Sequence, residues 1–176
     1  MIEQVIEGSF LIAHPRSETN YFSETVIYIL ENNSEGSLGF IVNRSAGASV
    51  GEVLDHAPNP ITHENLLIGG PVQSDCLRFL CVCTNDQLNL PPKLTHDLGA
   101  AAEQGQTEEY AVLPLLGYAG WAEGQLEQEI SEDVWLITSL GWRGLLSEPE
   151  AERYSLGSSQ LGFDPALIGF TSDHLQ

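Results

Sequence analysis

Two apolar runs joined by a turn cluster place the strongest constraint on how this chain can fold. Residues 24–31 (ETVIYILE) and 37–43 (SLGFIVN) are rich in β-branched and aromatic side chains, which favour strands. Between them lies NNSEG at 32–36, a run of residue types that form turns. The segment 24–43 therefore predicts a β-hairpin.

Further strand and helix signals alternate irregularly along the chain. The strand candidates are residues 8–13, 65–68, 77–84, 110–116 and 134–138. The helix candidates are residues 49–57, 95–104, 122–131 and 147–155, with a last short helix that opens at Asp164-Pro165. The chain has no regular βαβ rhythm, which argues against a parallel sheet. We expect one domain, 1–176, with an α+β fold: a mostly antiparallel, strongly curled or barrel-like sheet with short helices packed outside.

The chain carries a large excess of negative charge. Its 25 acidic residues against six lysines and arginines give a net charge of −19. Because nucleic-acid binding draws on Lys and Arg that neutralise phosphates, direct nucleic-acid binding is disfavoured, as is attachment to an anionic membrane. No apolar run approaches the roughly 20 residues that span a bilayer, and the N-terminal residues do not resemble a secretory signal. We expect a cytoplasmic protein.

The cysteines and histidines lack the spacing of a metal site. Cys81 and Cys83 fall on one face of the predicted strand 77–84, but no second Cys or His pair follows at zinc-ligand spacing. No two of the five histidines are four residues apart on a predicted helix. We therefore interpret the cysteines as free thiols and expect neither a metal nor a cofactor.

Residues 47–51 (GASVG) match G-x-S-x-G, the nucleophile motif of α/β-hydrolases. In that interpretation Ser49 is the nucleophile and a late histidine such as His174 is its base. Against it, residues 44–46 separate the motif from the preceding predicted strand, whereas a nucleophile elbow is sharp. Ser49 is also explained as a helix N-cap, with Glu52 as its capping-box partner. A serine hydrolase is the alternative hypothesis.

Two other places could contact a ligand. Asn43 and Arg44 end the second hairpin strand, and Arg44, one of only five arginines, could bind a carboxylate or phosphate or form a structural ion pair. Gly69 and Gly70 follow the strand 65–68 and could expose backbone N–H groups to an anion. Pro71 removes one such donor, so a tight turn is the better interpretation.

The glycine-rich stretch GYAGW at 117–121 poses the sharpest local question. We interpret it as a strand-to-helix turn with Gly120 as the N-cap, because Glu123 would then occupy the N3 position and a helix would follow. The Glu123 carboxylate would oppose an anionic ligand at that helix end. Tyr118, Trp121 and Gln125 are then candidates to line a neutral pocket or a protein-binding surface.

Four segments occur together in one order: GSFLIA at 8–13 running on to YFSETVIY at 21–28, EGSLGFIVNR at 35–44, GGPV at 69–72, and LGYAGW at 116–121 with QLE at 125–127 and WL at 135–136. Together they resemble the YqgE/AlgH family of bacterial proteins. The resemblance implies an α+β fold whose bifurcated sheet curls into a pseudo-barrel. It implies no established catalysis, metal or cofactor, and some members carry the label of transcriptional regulator.

The chain departs from the family pattern in three places. Ser45 follows the Asn-Arg pair where proline is usual, Ala122 replaces a glycine, and the C-terminal Gly-His-Ala is Ser172-Asp173-His174. The G-x-S-x-G pattern is not part of the family's motif. We therefore expect a non-enzymatic protein that acts on a protein partner or as an indirect regulator. A small-molecule-binding protein, or a hydrolase that uses the Ser49 region, is the alternative.

Overall fold

A computed structural model of the chain describes residues 6–17 and 19–162. Within these residues the strands are β1 (Phe10–Ala13), β2 (Val26–Asn33), β3 (Gly36–Ile41), β4 (Ser45–Ser49), β5 (Asn65–Ile68), β6 (Val72–Cys83), β7 (Lys93–Thr95), β8 (Tyr110–Trp121) and β9 (Trp135–Ile137). The helices are α1 (Val50–Val53), α2 (Leu98–Gly105), α3 (Gln125–Ser131), α4 (Trp142–Leu146) and α5 (Glu150–Gln160). No helix in the described ranges is long and apolar enough to cross a membrane.

The strands form one branched sheet. Its main path runs β4-β5-β8-β3-β2-β1-β9, while β6 also pairs with β8 and β7 pairs with β6. The β5–β8 pair is parallel and the other pairs are antiparallel. The sheet curls into a half-barrel with a few short helices against it, so the expected α+β class and the mostly antiparallel, curled sheet are confirmed.

The predicted hairpin is present as β2 and β3. Asn33 pairs with Gly36, so Ser34 and Glu35 form a two-residue connection. The Asn33 side chain accepts the Glu35 N–H at 2.8 Å, which is an Asx turn. The hairpin tip lies on the end of β8, since Ser37 pairs with Trp121.

The sheet is buried on both faces. Alternate residues of β1, β2, β3, β6 and β8 join one inner cluster, which includes Phe10, Tyr28, Phe40, Leu80 and Leu113. The intervening residues pack into two outer clusters, one with α3 and one with α1 and α2. Helix α5 closes the inner cluster, where the Tyr154 hydroxyl donates to the Ala13 carbonyl at 2.8 Å. Period-two burial on both faces explains the near-continuous apolar strands.

The stretch 117–121 is not a strand-to-helix turn, so that interpretation is wrong. These residues complete β8, a strand of 12 residues. Gly117 has φ +75°, and at this kink β8 exchanges one partner, pairing with β5 before it and with β3 after it. Helix α3 begins only at Gln125, with Gly124 as its N-cap at φ +76°. Glu123 therefore precedes the helix and does not occupy its N3 position.

Several boundaries differ from those predicted. Helix α1 has four residues instead of nine, and α5 begins after Pro149, which is its N-cap. Strands β4 and β7 and helix α4 are short elements that the pattern did not indicate. The helix predicted at Asp164-Pro165 lies outside the described residues.

Candidate functional site

A cleft of about 510 Å³ opens where the sheet branches. The β2–β3 hairpin forms one wall, and β6, β7 and the end of β8 form the others. The lining residues are Glu31, Asn33, Glu35, Gly36, Ser37, Leu38, Phe40, Gln73, Arg78, Leu94, Tyr118, Gly120, Trp121 and Ala122. The volume falls within the roughly 300–1,000 Å³ that is typical of ligand sites.

Arg78 is the cation of this cleft. It lies on β6, and its guanidinium carbon is 5.5 Å from the centroid of the Tyr118 ring. One guanidinium nitrogen, Nη2, donates to the Gln73 side-chain oxygen. The other, Nη1, is buried and has no hydrogen-bond partner among the described residues. Stacking on the ring orients the planar fork and leaves one donor unused.

A large bulge in β6 brings Gln73 to the cleft. Val72 pairs with Tyr118 and Leu77 pairs with Leu116, so residues 73–76 lie opposite Gly117 alone. These four residues are exposed. Gln73 has φ +49°, a left-handed conformation that is unusual for a residue with a side chain. The bulge re-aims the side chain of Gln73 toward Arg78, as bulges beside functional sites often do.

An aromatic series backs the cleft wall. Trp121 is 7% exposed, and its ring meets Trp135 edge-on at 6.1 Å. Trp135 then contacts Phe22 at 5.7 Å, and Phe22 contacts Tyr21 at 5.0 Å, both edge-on. These geometries are the favoured ones for aromatic pairs, so the series supports the end of β8 from the cluster opposite the one that Tyr118 joins.

Glu129 of α3 lies against this wall. Burial raises the pKa of its carboxyl group, and the nearby indole of Trp121 opposes the rise. One carboxylate oxygen, Oε2, is buried and has no hydrogen-bond partner within the described residues. The aromatic series therefore adjoins a carboxyl group whose ionised form is disfavoured by its surroundings.

A second cleft of about 880 Å³ adjoins the first and shares Glu31 and Leu94 with it. Its floor includes Tyr28 and Trp142, and its rim is the loop that carries Leu90. Leu90 is 44% exposed. Burial raises the pKa of the Tyr28 phenol, so this hydroxyl stays protonated at neutral pH and can only act as a neutral group.

The structure brings together two of the residues that the sequence singled out. Tyr118 and Trp121 both line the first cleft. Gln125 is exposed and has a structural role. Its side-chain oxygen accepts the Ala122 N–H at 3.0 Å, which stabilises the turn before α3. Gln125 therefore does not line the cleft that Tyr118 and Trp121 share.

Asn43 and Arg44 lie at the open end of the hairpin, away from its tip, and bind the chain itself. The Asn43 side chain accepts the Val26 N–H and donates to the Glu24 carbonyl, both at 2.9 Å. Arg44 Nη2 donates to the carbonyls of Tyr21 and Ser23, and its guanidinium stacks 4.8 Å from the Tyr21 ring centroid. Arg44 thus fixes the segment before β2 through hydrogen bonds to two backbone carbonyls and a cation–π contact with Tyr21.

Gly69 and Gly70 are buried at a backbone crossing. The Gly69 N–H donates to the Leu116 carbonyl and the Ile41 N–H donates to the Gly69 carbonyl, both at 2.7 Å. A Cβ on Gly70 would collide with the carbonyl of Tyr118. The pair therefore allows β8 to pass close to the end of β5, and the interpretation as a simple tight turn is incomplete.

Ser49 ends β4 and directly precedes α1. The motif thus lies at a strand–helix junction after all, closer to the elbow context than the sequence indicated. The backbone of Ser49 is relaxed, however, with φ −95° and ψ 167°, whereas a nucleophile elbow is strained. Glu52 accepts the Ser49 N–H at 2.8 Å, as the capping box predicts. His174 lies outside the described residues.

The three cysteines are free, with Cys81 and Cys83 buried and Cys76 exposed. Burial raises the pKa of the Cys81 thiol, so it is an unreactive core residue. Across residues 6–17 and 19–162, no three His, Cys, Asp or Glu side chains are grouped so that they could hold a metal ion.

Sequence reasoning missed Arg78, Gln73 and the two glutamates of the cleft, Glu31 and Glu35. One signal was available. Arg78 is the single cation within the apolar run 76–84, in a chain with only six lysines and arginines. A charge placed in a buried strand requires a partner or a function.

Comparisons with known proteins cover nearly the whole chain. The sequence model of the AlgH-like family matches residues 10–166. The UPF0301 protein AlgH of Pseudomonas aeruginosa is 32% identical, over 96% of this chain and 95% of that protein. A UPF0301 protein of Nitrosomonas eutropha is 36% identical, over 88% of this chain and 89% of its own length.

Solved structures show the same architecture. The solution structure of AlgH from Pseudomonas aeruginosa matches with a TM-score of 0.70 at 30% identity, over 96% of this chain and 95% of that one. A protein from Corynebacterium diphtheriae matches with a TM-score of 0.61 at 23% identity, over 77% and 76% of the two chains. The second likeness concerns the fold alone.

Proposed function

The chain belongs to the AlgH-like family, and from that premise we propose that it is a non-enzymatic cytoplasmic protein that binds a protein partner through the Arg78 cleft. In this role it would act by interaction, or as an indirect regulator. One observation carries the proposal: Arg78 is stacked on Tyr118 in an open cleft with one buried donor unused. Buried donors are almost always paired, so this donor suggests a missing partner.

The groups in the cleft are suited to recognition. Arg78 is a fixed cation, Glu31 and Glu35 are exposed carboxylates, and the exposed Asn33 supplies an amide group. Leu38 and Leu94, which are both partly exposed, add apolar surface. An apolar wall with a few convergent polar groups is the usual composition of a binding site.

The charge of the chain supports a partner other than DNA. With 25 acids and six cations, the field around the molecule opposes phosphates and attracts positively charged surfaces. Such complementarity mainly raises the association rate and selects partners. If the protein regulates transcription, we propose that it does so through another protein and not by contacting DNA.

Site-specific photocrosslinking tests the proposal. A photoreactive amino acid at Glu35, on the rim of the cleft, should trap a partner in a bacterial lysate. The same group at Glu103, an exposed residue of α2, is the matched control and should not. Adding Arg78→Gln should abolish the Glu35 adduct. Equal adducts from both positions, or an adduct that Arg78→Gln leaves unchanged, would contradict the proposal.

Small-molecule binding is the second candidate, because the cleft volume of about 510 Å³ suits a compact ligand. Serine hydrolysis receives no comparable support, since Ser49 has a relaxed backbone and lies outside the lining of this cleft.

A further inference from the structure

The guanidinium of Arg78 is only partly used by the protein. Its face is covered by Tyr118 and its Nη2 donates to Gln73. Its Nη1 is buried and unpaired in the part of the chain that the structure describes. An arginine fork presents two parallel donors that match the two oxygens of a carboxylate. An amide oxygen such as that of Gln73 can serve only one side of this fork.

Gln73 is placed where a ligand's oxygen would bind. It is exposed, has a left-handed φ of +49° and lies in the four-residue bulge of β6. Strained backbone of this kind is concentrated at ligand-binding and switching positions. Among the strands that the structure describes, only Gly117 of β8 lies opposite residues 73–76, so the Gln73 side chain can leave Arg78 without disrupting the sheet.

The opposite wall of the cleft has the opposite charge. Glu31 and Glu35, both exposed, line it from the β2–β3 hairpin. A ligand with only negative charge would be attracted by Arg78 but repelled by these carboxylates and by the net charge of −19. A ligand that carries both a carboxylate and a cationic group satisfies both walls.

We propose that the cleft binds a carboxylate that also carries a cationic group, and that Gln73 occupies the carboxylate position on Arg78 until this ligand displaces it. The inference rests on the proposed role of the cleft as a binding site and names the chemistry that it recognises. Two sources share this chemistry: a free basic amino acid, and the basic C-terminal residue of a peptide.

Amide chemical-shift titrations on the full chain test the ligand class. The probes are L-arginine, agmatine, which lacks the carboxylate, and acetyl-Gly-Gly-Arg with a free or an amidated C-terminus. We expect the carboxylate-bearing probe of a pair to bind at least about 10-fold more tightly, the range of one charge-assisted hydrogen bond. Binding by L-arginine identifies the free amino acid as the source, and binding by the tripeptide alone identifies a chain end. Equal binding within each pair, or no binding, overturns the inference.

Variants test the two positions separately. Arg78→Gln should lose at least about 10-fold in affinity, whereas Arg143→Gln, at an exposed arginine of α4, should lose nothing. Gln73→Ala should bind more tightly because the internal competitor is gone. If Gln73→Ala instead weakens binding, displacement of Gln73 is wrong. Thermal unfolding of each variant verifies that it is folded.

The two proposals fail in different ways. If no probe binds but the crosslink at Glu35 still depends on Arg78, the carboxylate inference falls and the protein-interaction role stands. If the free carboxylates bind in an Arg78-dependent manner and no crosslink forms, the protein-interaction role falls and the ligand site stands.

Discussion

The backbone N–H of Gly69 donates to the carbonyl of Leu116 at 2.7 Å, and this bond joins the end of β5 to β8 at a close backbone crossing. The next residue, Gly70, has no room for a side chain, because a Cβ would lie far inside ordinary contact distance of the Tyr118 backbone. The crossing sets the position of Tyr118, and therefore of the ring on which Arg78 stacks.

Gly70→Ala should destabilise the fold strongly. The added methyl group meets backbone atoms that cannot move without separating β5 from β8, and overpacking of this kind costs about 1–3 kcal/mol or more. Chemical denaturation would measure the loss. Gly144→Ala in α4 is the matched control, since its Cβ meets nothing within 4 Å in the described part of the chain, and it should be neutral or stabilising by up to about 1 kcal/mol. A Gly70→Ala protein as stable as Gly144→Ala would refute the crossing argument.

Asn43→Ala should cost about 1–3 kcal/mol, the range for leaving a buried backbone donor unpaired. The donor is the N–H of Val26, a fully buried residue, which Asn43 accepts at 2.9 Å. Asn43→Asp keeps the acceptor but loses the donor to the Glu24 carbonyl, so its loss of unfolding free energy should differ from that of Asn43→Ala. Urea unfolding compares the two, and a cost near zero for Asn43→Ala would mean that Asn43 is free for a ligand.

Glu129→Gln should stabilise the protein near neutral pH. Burial raises the pKa of Glu129 in the folded state, so the folded carboxyl group holds its proton more tightly than the unfolded one. The stability that this group contributes is therefore complete below the ordinary carboxyl pKa and is lost as pH rises through the raised value. A neutral glutamine avoids that loss.

The measurement is the melting temperature of Glu129→Gln minus that of the wild type, at several pH values. The difference should grow from acidic to neutral pH. Glu127→Gln, at an exposed residue on the same helix, serves as the control for removing one negative charge. Identical pH profiles for the two variants would show that burial of Glu129 has no thermodynamic effect.

Ser49→Ala should not change hydrolysis of a simple ester such as p-nitrophenyl acetate, because the relaxed Ser49 backbone does not form a nucleophile elbow. Ser49→Ala should also lower the free energy of unfolding less than Glu52→Ala does. The Glu52 carboxylate accepts the backbone N–H of Ser49 at 2.8 Å, a bond that alanine at position 49 retains and that is worth about 0.5–1.5 kcal/mol. A tenfold or greater fall in ester hydrolysis in Ser49→Ala would restore the hydrolase hypothesis.

Local patterns predicted the fold best where sequence neighbours also pair in space. The β2–β3 hairpin is an example, since turn residues at 32–36 connect the two strands directly. The end of β8 was mistaken for a turn because Gly117 and Gly120 resemble turn residues in the sequence. Its partner there is β3, some 80 residues away along the chain, and such tertiary pairing overrides local preference.

The candidate site was only partly predictable for the same reason. Tyr118 and Trp121 stood out as aromatic residues among glycines, and both line the cleft. Arg78 and Glu35 come from separate elements, and only the branching of the sheet at β8 places them on facing walls. No local spacing rule relates these two residues.

The central position of β8 also has a consequence for biosynthesis. Strands β3, β5 and β6 all pair with Tyr110–Trp121. They precede this segment in the sequence, so they are synthesised first and cannot complete their pairing until it has left the ribosome. Until then the emerging chain can form only the local pairs β1–β2–β3, β4–β5 and β6–β7, because β8 is the strand that joins these groups and long-range pairing requires both partners. We expect a nascent chain arrested before residue 110 to be sensitive to protease and bound by chaperones, and one that exposes β8 to acquire protection in a single step.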